Sequence, residues 1–187
     1  MGKALFIVSR PIFPIVGGDQ IRAQQQLEFL SRKYLVDVIF LSSGSGCVKS
    51  DYLPYAHDVK CFYRSKIKCL LGALRFLTNK LPIQVNYYRD KMLQRYVNQV
   101  ADQYDVIFCN NIRTTEFARK CSGIKRIVDF VDAISMNYDK ARKHSIGLKK
   151  LIYTIDFYRC KSYEKKILQE FDVCMVISSA DKQFIES

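Results

Sequence analysis

The feature that most constrains the fold is a set of continuous apolar runs, VDVIFL, YDVIF and FDVCMVI, spaced along the chain. A strand with one face in water alternates apolar and polar residues, whereas these runs are apolar at successive positions. They therefore predict strands buried on both faces, as in a parallel sheet covered by helices. On this basis and on similar runs elsewhere, we predict strands at 3–8, 35–41, 59–63, 105–109, 124–131 and 172–177.

Helical patterns lie between most of these strands, at 19–34, 88–103 and 148–168. The last is the clearest, because apolar residues between Leu148 and Tyr158 recur on one side of a helix. The alternation of strand and helix predicts one α/β domain over residues 1–187. It is a Rossmann-like, doubly wound, mostly parallel sheet with helices on both faces.

Three predicted strands are preceded or opened by an aspartate: Asp37, Asp105 and Asp172. Ligands of open α/β sheets bind at the carboxyl edge, whereas these acids lie at the opposite edge. We therefore assign them to helix-to-strand turns and give them no functional role.

The net charge of +12 is the most informative number in the composition. Such a surface attracts nucleic acid, anionic lipid or phosphorylated small molecules, and it does not choose among them. The seven cysteines include no C-x-x-C pair and the two histidines have no ligand-spaced partner, so we assign no metal. No apolar run approaches the ~20 residues of a membrane span. We expect a cytoplasmic protein, at most peripheral to the inner face of the membrane.

The stretch SRPIFPIVGGDQIR follows the first predicted strand and lies at the ligand-binding edge of the sheet. Gly17 and Gly18 lack Cβ atoms, so a phosphate could approach the backbone there, beside the free N–H groups of the next helix. Asp19 suits the N-cap of that helix. Neither a P-loop nor the dinucleotide fingerprint is present, which argues against a nicotinamide dehydrogenase. A plain strand–loop–helix connection is the simpler interpretation of these residues alone.

Two further edge segments follow the fourth and fifth strands, NNIRTTE from Asn110 and DAIS from Asp132. Asp129 and Asp132 stand near the end of the fifth strand, where a carboxylate could serve as a general base or bind a sugar hydroxyl. The simpler interpretations are that Asp132 caps the next helix and that Asp129 pairs with a basic residue. No nucleophile motif such as G-x-S-x-G occurs.

Two stretches, Arg64–Leu81 and Lys140–Arg159, combine basic residues with an apolar stripe. In the first, the stripe consists of Ile67, Leu70, Leu71, Leu74 and Leu77. The simpler interpretation of each is a surface helix whose stripe packs into the core. The alternative is a helix that lies on an anionic membrane.

Taken together, these segments resemble the N-terminal domain of family-4-like glycosyltransferases of the GT-B fold, in particular sugar transferases of exopolysaccharide clusters. The resemblance rests on VSRPIFPIVGGDQIRAQQQLEFLSRKYLVDVIFLS, YDVIFCNNIRTTEFA, RIVDFVDAISMNYDKA and YEKKILQEFDVCMVISSADKQFI. Asp129, Asp132 and Ser135 fit the D-x-x-D-x-x-S segment of those enzymes.

The resemblance implies transfer of a sugar from a nucleotide-sugar to a polysaccharide or lipid-linked acceptor, with no bound metal and no cofactor. It places Gly17 and Gly18 at the cleft that faces the donor phosphates, with Arg22 beside an anionic group. Asp132 becomes the candidate base or acceptor contact, and Asn111 and Arg113 lie nearby.

The chain differs from the family in one respect, since it lacks the segment with which those enzymes bind the nucleotide-sugar donor. No E-x7-E segment occurs, so we expect this chain to lack the nucleotide-sugar site, to need a separate donor-binding domain and to be inactive alone. Its expected partners are a sugar or lipid-linked acceptor and an anionic membrane surface, and nucleic acid is not expected. The alternative hypothesis is a stand-alone α/β binding or regulatory module for a phosphorylated ligand or nucleic acid.

Overall fold

The computed structural model describes residues 1–44, 49–52 and 55–187. The strands are β1 (Gly2–Val8), β2 (Tyr34–Ser42), β3 (Asp58–Tyr63), β4 (Val106–Asn110), β5 (Lys125–Asp129) and β6 (Val173–Met175). The helices are α1 (Gly18–Ser31), α2 (Lys66–Ala73), α3 (Ile83–Tyr88), α4 (Lys91–Val100), α5 (Thr115–Ala118), α6 (Ile134–Lys143), α7 (Gly147–Glu170) and α8 (Ser179–Glu186). Short 3-10 turns cover Lys49–Tyr52, Leu74–Leu77, Ala101–Gln103 and Ile112–Thr114.

The six strands form one sheet in the order β3-β2-β1-β4-β5-β6, and all neighbouring pairs are parallel. This is the strand order of a Rossmann-like fold, so the predicted fold class is confirmed. All six predicted strands are present, and two of them end two residues earlier than predicted, β6 at Met175 and β5 at Asp129. In β5 the cause is Val131, whose φ of 66° is incompatible with an extended strand.

Both faces of the sheet are buried, as the continuous apolar runs predicted. Along β1, Leu5 and Ile7 belong to one apolar cluster, whereas Ala4, Phe6 and Val8 belong to the other. Successive side chains of a strand point to opposite faces, so an all-apolar strand supplies both cores at once.

The helices divide unequally between the two faces. Among the described helices, only α1 contributes buried residues to the cluster around Phe6, through Ala23, Leu27 and Leu30. Helices α3 to α8 contribute to the other cluster. In α7 the buried apolar residues run from Phe157 to Ile167, whereas the predicted core stripe beginning at Leu148 is exposed. The predicted burial of that stripe is therefore wrong.

Two of the three aspartates assigned to the amino edge, Asp105 and Asp172, lie in turns before strands as predicted, whereas Asp37 lies inside β2. The Asp105 carboxylate accepts a hydrogen bond from the Lys3 amide at 2.7 Å, and Asp172 accepts one from the Arg126 amide at 2.7 Å. Each acid thus satisfies a backbone N–H near the start of the neighbouring strand.

Candidate functional site

The candidate site lies at the carboxyl edge of the sheet, where the chain order reverses. From β1 the chain builds outward through β2 and β3, and then returns to add β4 on the other side of β1. The loops that follow β1 and β4 therefore diverge and leave a crevice between them, which is where open α/β sheets bind ligands. The loop after β5 borders the same crevice, because β5 pairs with β4.

The loop after β1 is held in one conformation by two side chains. The Gln20 amide group donates to the carbonyl oxygens of Pro11 and Pro14 at 2.8 and 3.1 Å, and its oxygen accepts from the Val16 amide at 3.0 Å. The Tyr52 hydroxyl accepts from the Ile12 amide at 3.1 Å. The crevice thus has a fixed wall on its β1 side.

Two non-glycine residues at this edge adopt left-handed backbone conformations. Asn111 follows β4 with a φ of 73°, and Val131 follows β5 with a φ of 66°. The two turns are bonded to each other, since the Asn111 amide donates to the Asp129 carbonyl oxygen at 2.7 Å. Conformations of this kind cost free energy and are concentrated at functional sites. The two paired turns therefore favour the ends of β4 and β5 as the place of the functional residues.

Asp129 is fully buried and does not face the crevice as a free carboxylate. It accepts hydrogen bonds from the side chains of Arg22 and Gln26 on α1, and its other oxygen accepts from the Val131 amide at 3.0 Å. Asp129 thus pairs with a basic residue, as its simpler interpretation held. The same contact occupies the Nε group of Arg22, and Gln26 also accepts from Asn110 at 2.9 Å.

A polar cavity of about 520 Å³ opens above this buried layer. It is lined by Arg10, Asp19, Tyr88, Asn111, Arg113, Val131 and Asp132. Polar groups from the loops after β1, β4 and β5 therefore converge on one space, together with one aromatic ring. A concave site with a few converging polar groups is the usual form of a small-molecule site.

The two sides of the cavity differ in charge. On the β1 side, Arg10 donates to both carboxylate oxygens of Asp19, at 2.5 and 3.0 Å. Burial opposes ionisation of Asp19, but Arg10, with a smaller contribution from Arg113, outweighs it and lowers the pKa of that carboxyl. On the β4 side, Arg113 donates to Gln84 at 2.8 Å and lies 5.5 Å from the centre of the Tyr88 ring. Its guanidinium has no ion-pair partner among the described residues.

Asp132 is the one predicted carboxylate that lines the cavity. One of its oxygens accepts from the Asn137 side-chain amide at 2.5 Å, which orients the carboxylate. Among the described residues, the other oxygen accepts no hydrogen bond and is available to a ligand hydroxyl. The residue that caps α6 is Ala133, so the interpretation of Asp132 as a helix cap is wrong.

The segment D-x-x-D-x-x-S does not converge on one site. Ser135 is buried below the cavity, where its hydroxyl and its amide both donate to Glu164 on α7. Burial raises the pKa of Glu164 to about 7, although the Ser135 hydrogen bonds favour its charged form. Asp129, Asp132 and Ser135 therefore point toward α1, the cavity and α7 respectively.

The two glycines occupy positions of different character. Gly17 is the N-cap of α1 in an extended conformation, so the interpretation of Asp19 as the N-cap is wrong. A Cβ on Gly17 would lie 3.1 Å from the Asp19 carboxylate and 3.3 Å from Arg10. A Cβ on Gly18 would meet nothing within 4 Å, which leaves open space beside the start of α1.

Of the predicted residues, the structure brings Asn111, Arg113 and Asp132 together in the cavity. It adds four lining residues that the sequence analysis did not single out as ligands, Arg10, Asp19, Tyr88 and Val131. Arg10 follows β1 almost directly, so its place at the edge could have been read from the sequence. Tyr88 carried no such signal, because it reaches the edge from α3.

Tyr88 also joins the cavity to two neighbouring ones. With Arg10 it lines a groove of about 420 Å³ along the ends of β1 and β2, and with Arg113 it lines a smaller one of about 240 Å³ beside α3. The three spaces therefore adjoin one another at Tyr88.

The described residues hold no cluster of three or more side chains that could bind a metal ion. In the same part of the chain, no helix has the length and apolar character needed to cross a membrane.

The fold and this edge cavity define a Rossmann-like α/β domain with its candidate site at the point where the strand order reverses. No protein-family model matches the chain, and no curated protein sequence matches it. Among solved structures, it is similar to the N-terminal domain of trehalose-6-phosphate phosphatase from Candida albicans, at 10% identity and a TM-score of 0.43. The match covers 90% of this chain and 42% of that chain, so this chain spans less than half of that structure. A likeness at this level carries no argument about activity.

Proposed function

We propose that this domain is the acceptor-binding half of a glycosyltransferase that passes a sugar from a nucleotide-sugar to a polysaccharide or lipid-linked acceptor. The observation that carries the proposal is the Asp132 carboxylate, which is oriented by Asn137 and lines an open polar cavity beside Tyr88 and Arg113. A carboxylate and amides suit sugar hydroxyls, and an aromatic ring suits the apolar face of a pyranose. The paired left-handed residues at the same edge support a functional role for it.

In this proposal Asp132 receives the proton of the acceptor hydroxyl as that oxygen attacks the anomeric carbon of the donor, or it holds that hydroxyl in place. The bond from the anomeric carbon to the nucleoside diphosphate breaks, and the diphosphate leaves with the bonding electrons. Arg113 supplies positive charge beside the reacting groups. Nucleotide binding is assigned to a second domain outside these 187 residues, and the proposed location is the cytoplasmic face of the membrane.

The second candidate function is a stand-alone module for a phosphorylated ligand. The observation that favours it is the pair of guanidinium groups in the cavity, Arg10 and Arg113. Asp19 neutralises the first of them, so the cavity presents one unpaired guanidinium and the carboxylate of Asp132. This balance suits a neutral sugar better than a phosphate dianion.

The test is a titration of the ¹⁵N-labelled chain with neutral disaccharides, glucose 1-phosphate and UDP-glucose, followed by amide chemical shifts. We expect neutral sugars to shift the amides around Asn111, Arg113 and Asp132, with dissociation constants in the millimolar range. Asp132→Asn should weaken this binding about tenfold, whereas Asp102→Asn, at an exposed acid away from the cavity, should leave it unchanged.

If glucose 1-phosphate bound and the neutral sugars did not, and if Asp132→Asn strengthened that binding, the result would support the second function and contradict the first. An absence of shifts with every neutral sugar would contradict the proposed acceptor site. Turnover of UDP-glucose by the purified chain would contradict the assignment of nucleotide binding to a second domain.

A further inference from the structure

The excess positive charge of the chain resides in two segments, residues 59–89 and 140–155. Neither contains an aspartate or a glutamate, and together they hold 12 of the 30 lysines and arginines. The other 18 basic residues equal the 18 acidic residues in number, so the rest of the chain is neutral. The net charge is thus a local property of two surface segments.

The first of these segments also carries an outward apolar stripe. Ile67, Leu70, Leu71, Leu74 and Leu77 lie on α2 and the 3-10 turn after it, and each is between 55% and 72% exposed. The simpler sequence interpretation placed them in the core, and it is wrong. Cys69 and Gly72 are the residues of α2 that are buried. Aliphatic residues grouped in this way on a surface mark an interaction site.

The second segment repeats this combination at the start of α7. Ile146, Leu148 and Leu151 are 88%, 73% and 55% exposed, and Lys149 and Lys150 stand between them. Within the described part of the chain, Lys149 and Lys150 form no ion pair. The same holds for Lys66 and Lys68 on α2.

The helix that begins in the second segment contacts the first segment. The Arg159 guanidinium donates to the Phe76 carbonyl oxygen at 2.6 Å, which joins α7 to the 3-10 turn after α2. One turn earlier on α7, the Asp156 carboxylate accepts from the Ile83 amide at 2.9 Å. We name the exposed residues of 66–77 and 146–155 together the basic apolar face.

A cationic cleft borders this face. It is lined by Arg64, Lys68, Leu71, Gly72, Arg75, Arg89, Asp90, Lys91 and Met92, with a volume of about 300 Å³. Five cations meet one carboxylate there, and the Asp90 carboxylate is already used to cap α4. The cleft thus places positive charge directly beside exposed Leu71 and Met92, as a phosphate headgroup above acyl chains requires.

We propose that the basic apolar face docks this domain on an anionic lipid bilayer. The leucines and isoleucines enter the boundary between headgroups and acyl chains, and the lysines and the cationic cleft hold the lipid phosphates. A second copy of the chain is a poor occupant, because it would oppose one positive face to another. A nucleic acid would match the charge and leave the aliphatic stripe in water.

The inference does not rest on the proposed function, because it uses no side chain of the Asp132 cavity.

The test is co-sedimentation of the purified chain with vesicles of phosphatidylcholine alone and of phosphatidylcholine with 30% phosphatidylglycerol, at 50 and 150 mM salt. We expect binding to the anionic vesicles that weakens as salt rises and little binding to the neutral ones. Lys66→Gln with Lys68→Gln should weaken partitioning about 25-fold, since each lysine near an anionic surface contributes about fivefold. Lys66→Arg with Lys68→Arg should keep it.

The apolar contribution is tested by Leu70→Ser with Leu74→Ser and Leu77→Ser, which we expect to weaken partitioning at least tenfold at both salt concentrations. The matched control is Phe29→Ser, because Phe29 is similarly exposed and lies on α1. All five leucine and lysine positions are exposed, so each variant should retain the circular dichroism and melting temperature of the parent.

Equal binding to neutral and anionic vesicles, or no binding to either, would overturn the proposal. So would a triple-leucine variant that sediments like the parent. A concentration-dependent dimer that the same triple variant abolishes would assign the face to a second copy of the chain.

Discussion

Arg22 on α1 donates through Nε to the buried carboxylate of Asp129, 107 residues further along the chain at the end of β5. Asp129 has no exposed surface, and Arg22 keeps about a third of its side chain in contact with solvent. The pair therefore ties the helix of one sheet face to the strand that supports the candidate site. Val131 and Asp132, which follow this strand, line the cavity.

Removal of Arg22 should leave a buried carboxylate with too few donors. We expect Arg22→Met to lower the free energy of unfolding by about 2–3 kcal/mol, at the low end for a broken buried pair because Gln26 still donates. Asp129→Asn combined with Arg22→Met should cost at least 1 kcal/mol less than the sum of the single changes. Urea unfolding of the four proteins measures this coupling.

The control for this cycle is the exposed pair of Arg32 and Glu28 on the same helix, at 2.9 Å. Arg32→Met should change the unfolding free energy by less than about 0.5 kcal/mol. Additive effects of the Arg22 and Asp129 changes would show that the two side chains do not form the contact described.

Glu164 makes stability depend on pH in a defined direction. Its pKa is raised in the folded state from 4.5 to about 7, so between these values the folded protein holds a proton that the unfolded chain releases. Its contribution to stability is thus fully present below about pH 4.5 and is lost as pH rises through about 7. The loss for this one group amounts to up to about 3 kcal/mol.

Glu164→Gln removes the titration and keeps an oxygen that can accept from the Ser135 amide. The difference in unfolding free energy between variant and parent should therefore shift in favour of the variant from pH 5 to pH 8. Other groups titrate in both proteins, so the difference isolates Glu164. A difference that is constant with pH would contradict the buried, proton-holding state of this carboxyl.

Gly72 is the helix glycine that the structure cannot replace without movement. A Cβ there would lie 2.5 Å from Arg64 Nη2 and 3.1 Å from the Asn86 carbonyl oxygen. Arg64 is buried and donates to the carbonyl oxygens of Tyr87, Arg89 and Lys68, so it has little room to withdraw.

We expect Gly72→Ala to destabilise the domain by about 2 kcal/mol or more, although alanine favours helix by up to about 1 kcal/mol. Gly18→Ala is the matched control, since its Cβ would meet nothing within 4 Å, and it should be neutral or slightly stabilising. Thermal unfolding of the two variants compares them directly. A Gly72→Ala protein as stable as the parent would mean that Arg64 is not held as described.

At position 131 we expect glycine to give a more stable protein than alanine, which is the reverse of the usual order. At its φ of 66°, a Cβ costs about 1 kcal/mol or more, so Val131→Gly should be more stable than Val131→Ala by about that amount. Ala133, at a φ of −73°, provides the opposite case, and Ala133→Gly should be less stable than the parent. Chemical unfolding of the three variants measures these stabilities. If alanine were more stable than glycine at position 131 as well as at position 133, Val131 would not have the left-handed conformation described.

The sequence by itself determined the fold class and the strands, because doubly buried strands need apolar residues at successive positions and few other structures do. It also placed the candidate site at the loops after β1, β4 and β5. It did not determine where the side chains of those loops point. Asp129 and Asp132 are three residues apart, yet one is buried against α1 and the other lines the cavity, since Val131 turns the chain between them.

The apolar stripes of α2 and α7 show the same division. Their helical spacing was readable, but spacing identifies a face without stating what covers it. The tertiary structure decided that the stripe from Ile67 to Leu77 faces water, because buried Arg64 and α3 occupy the inner side of α2. Local sequence encodes periodicity and charge, whereas only the packed chain decides which of those faces remains exposed.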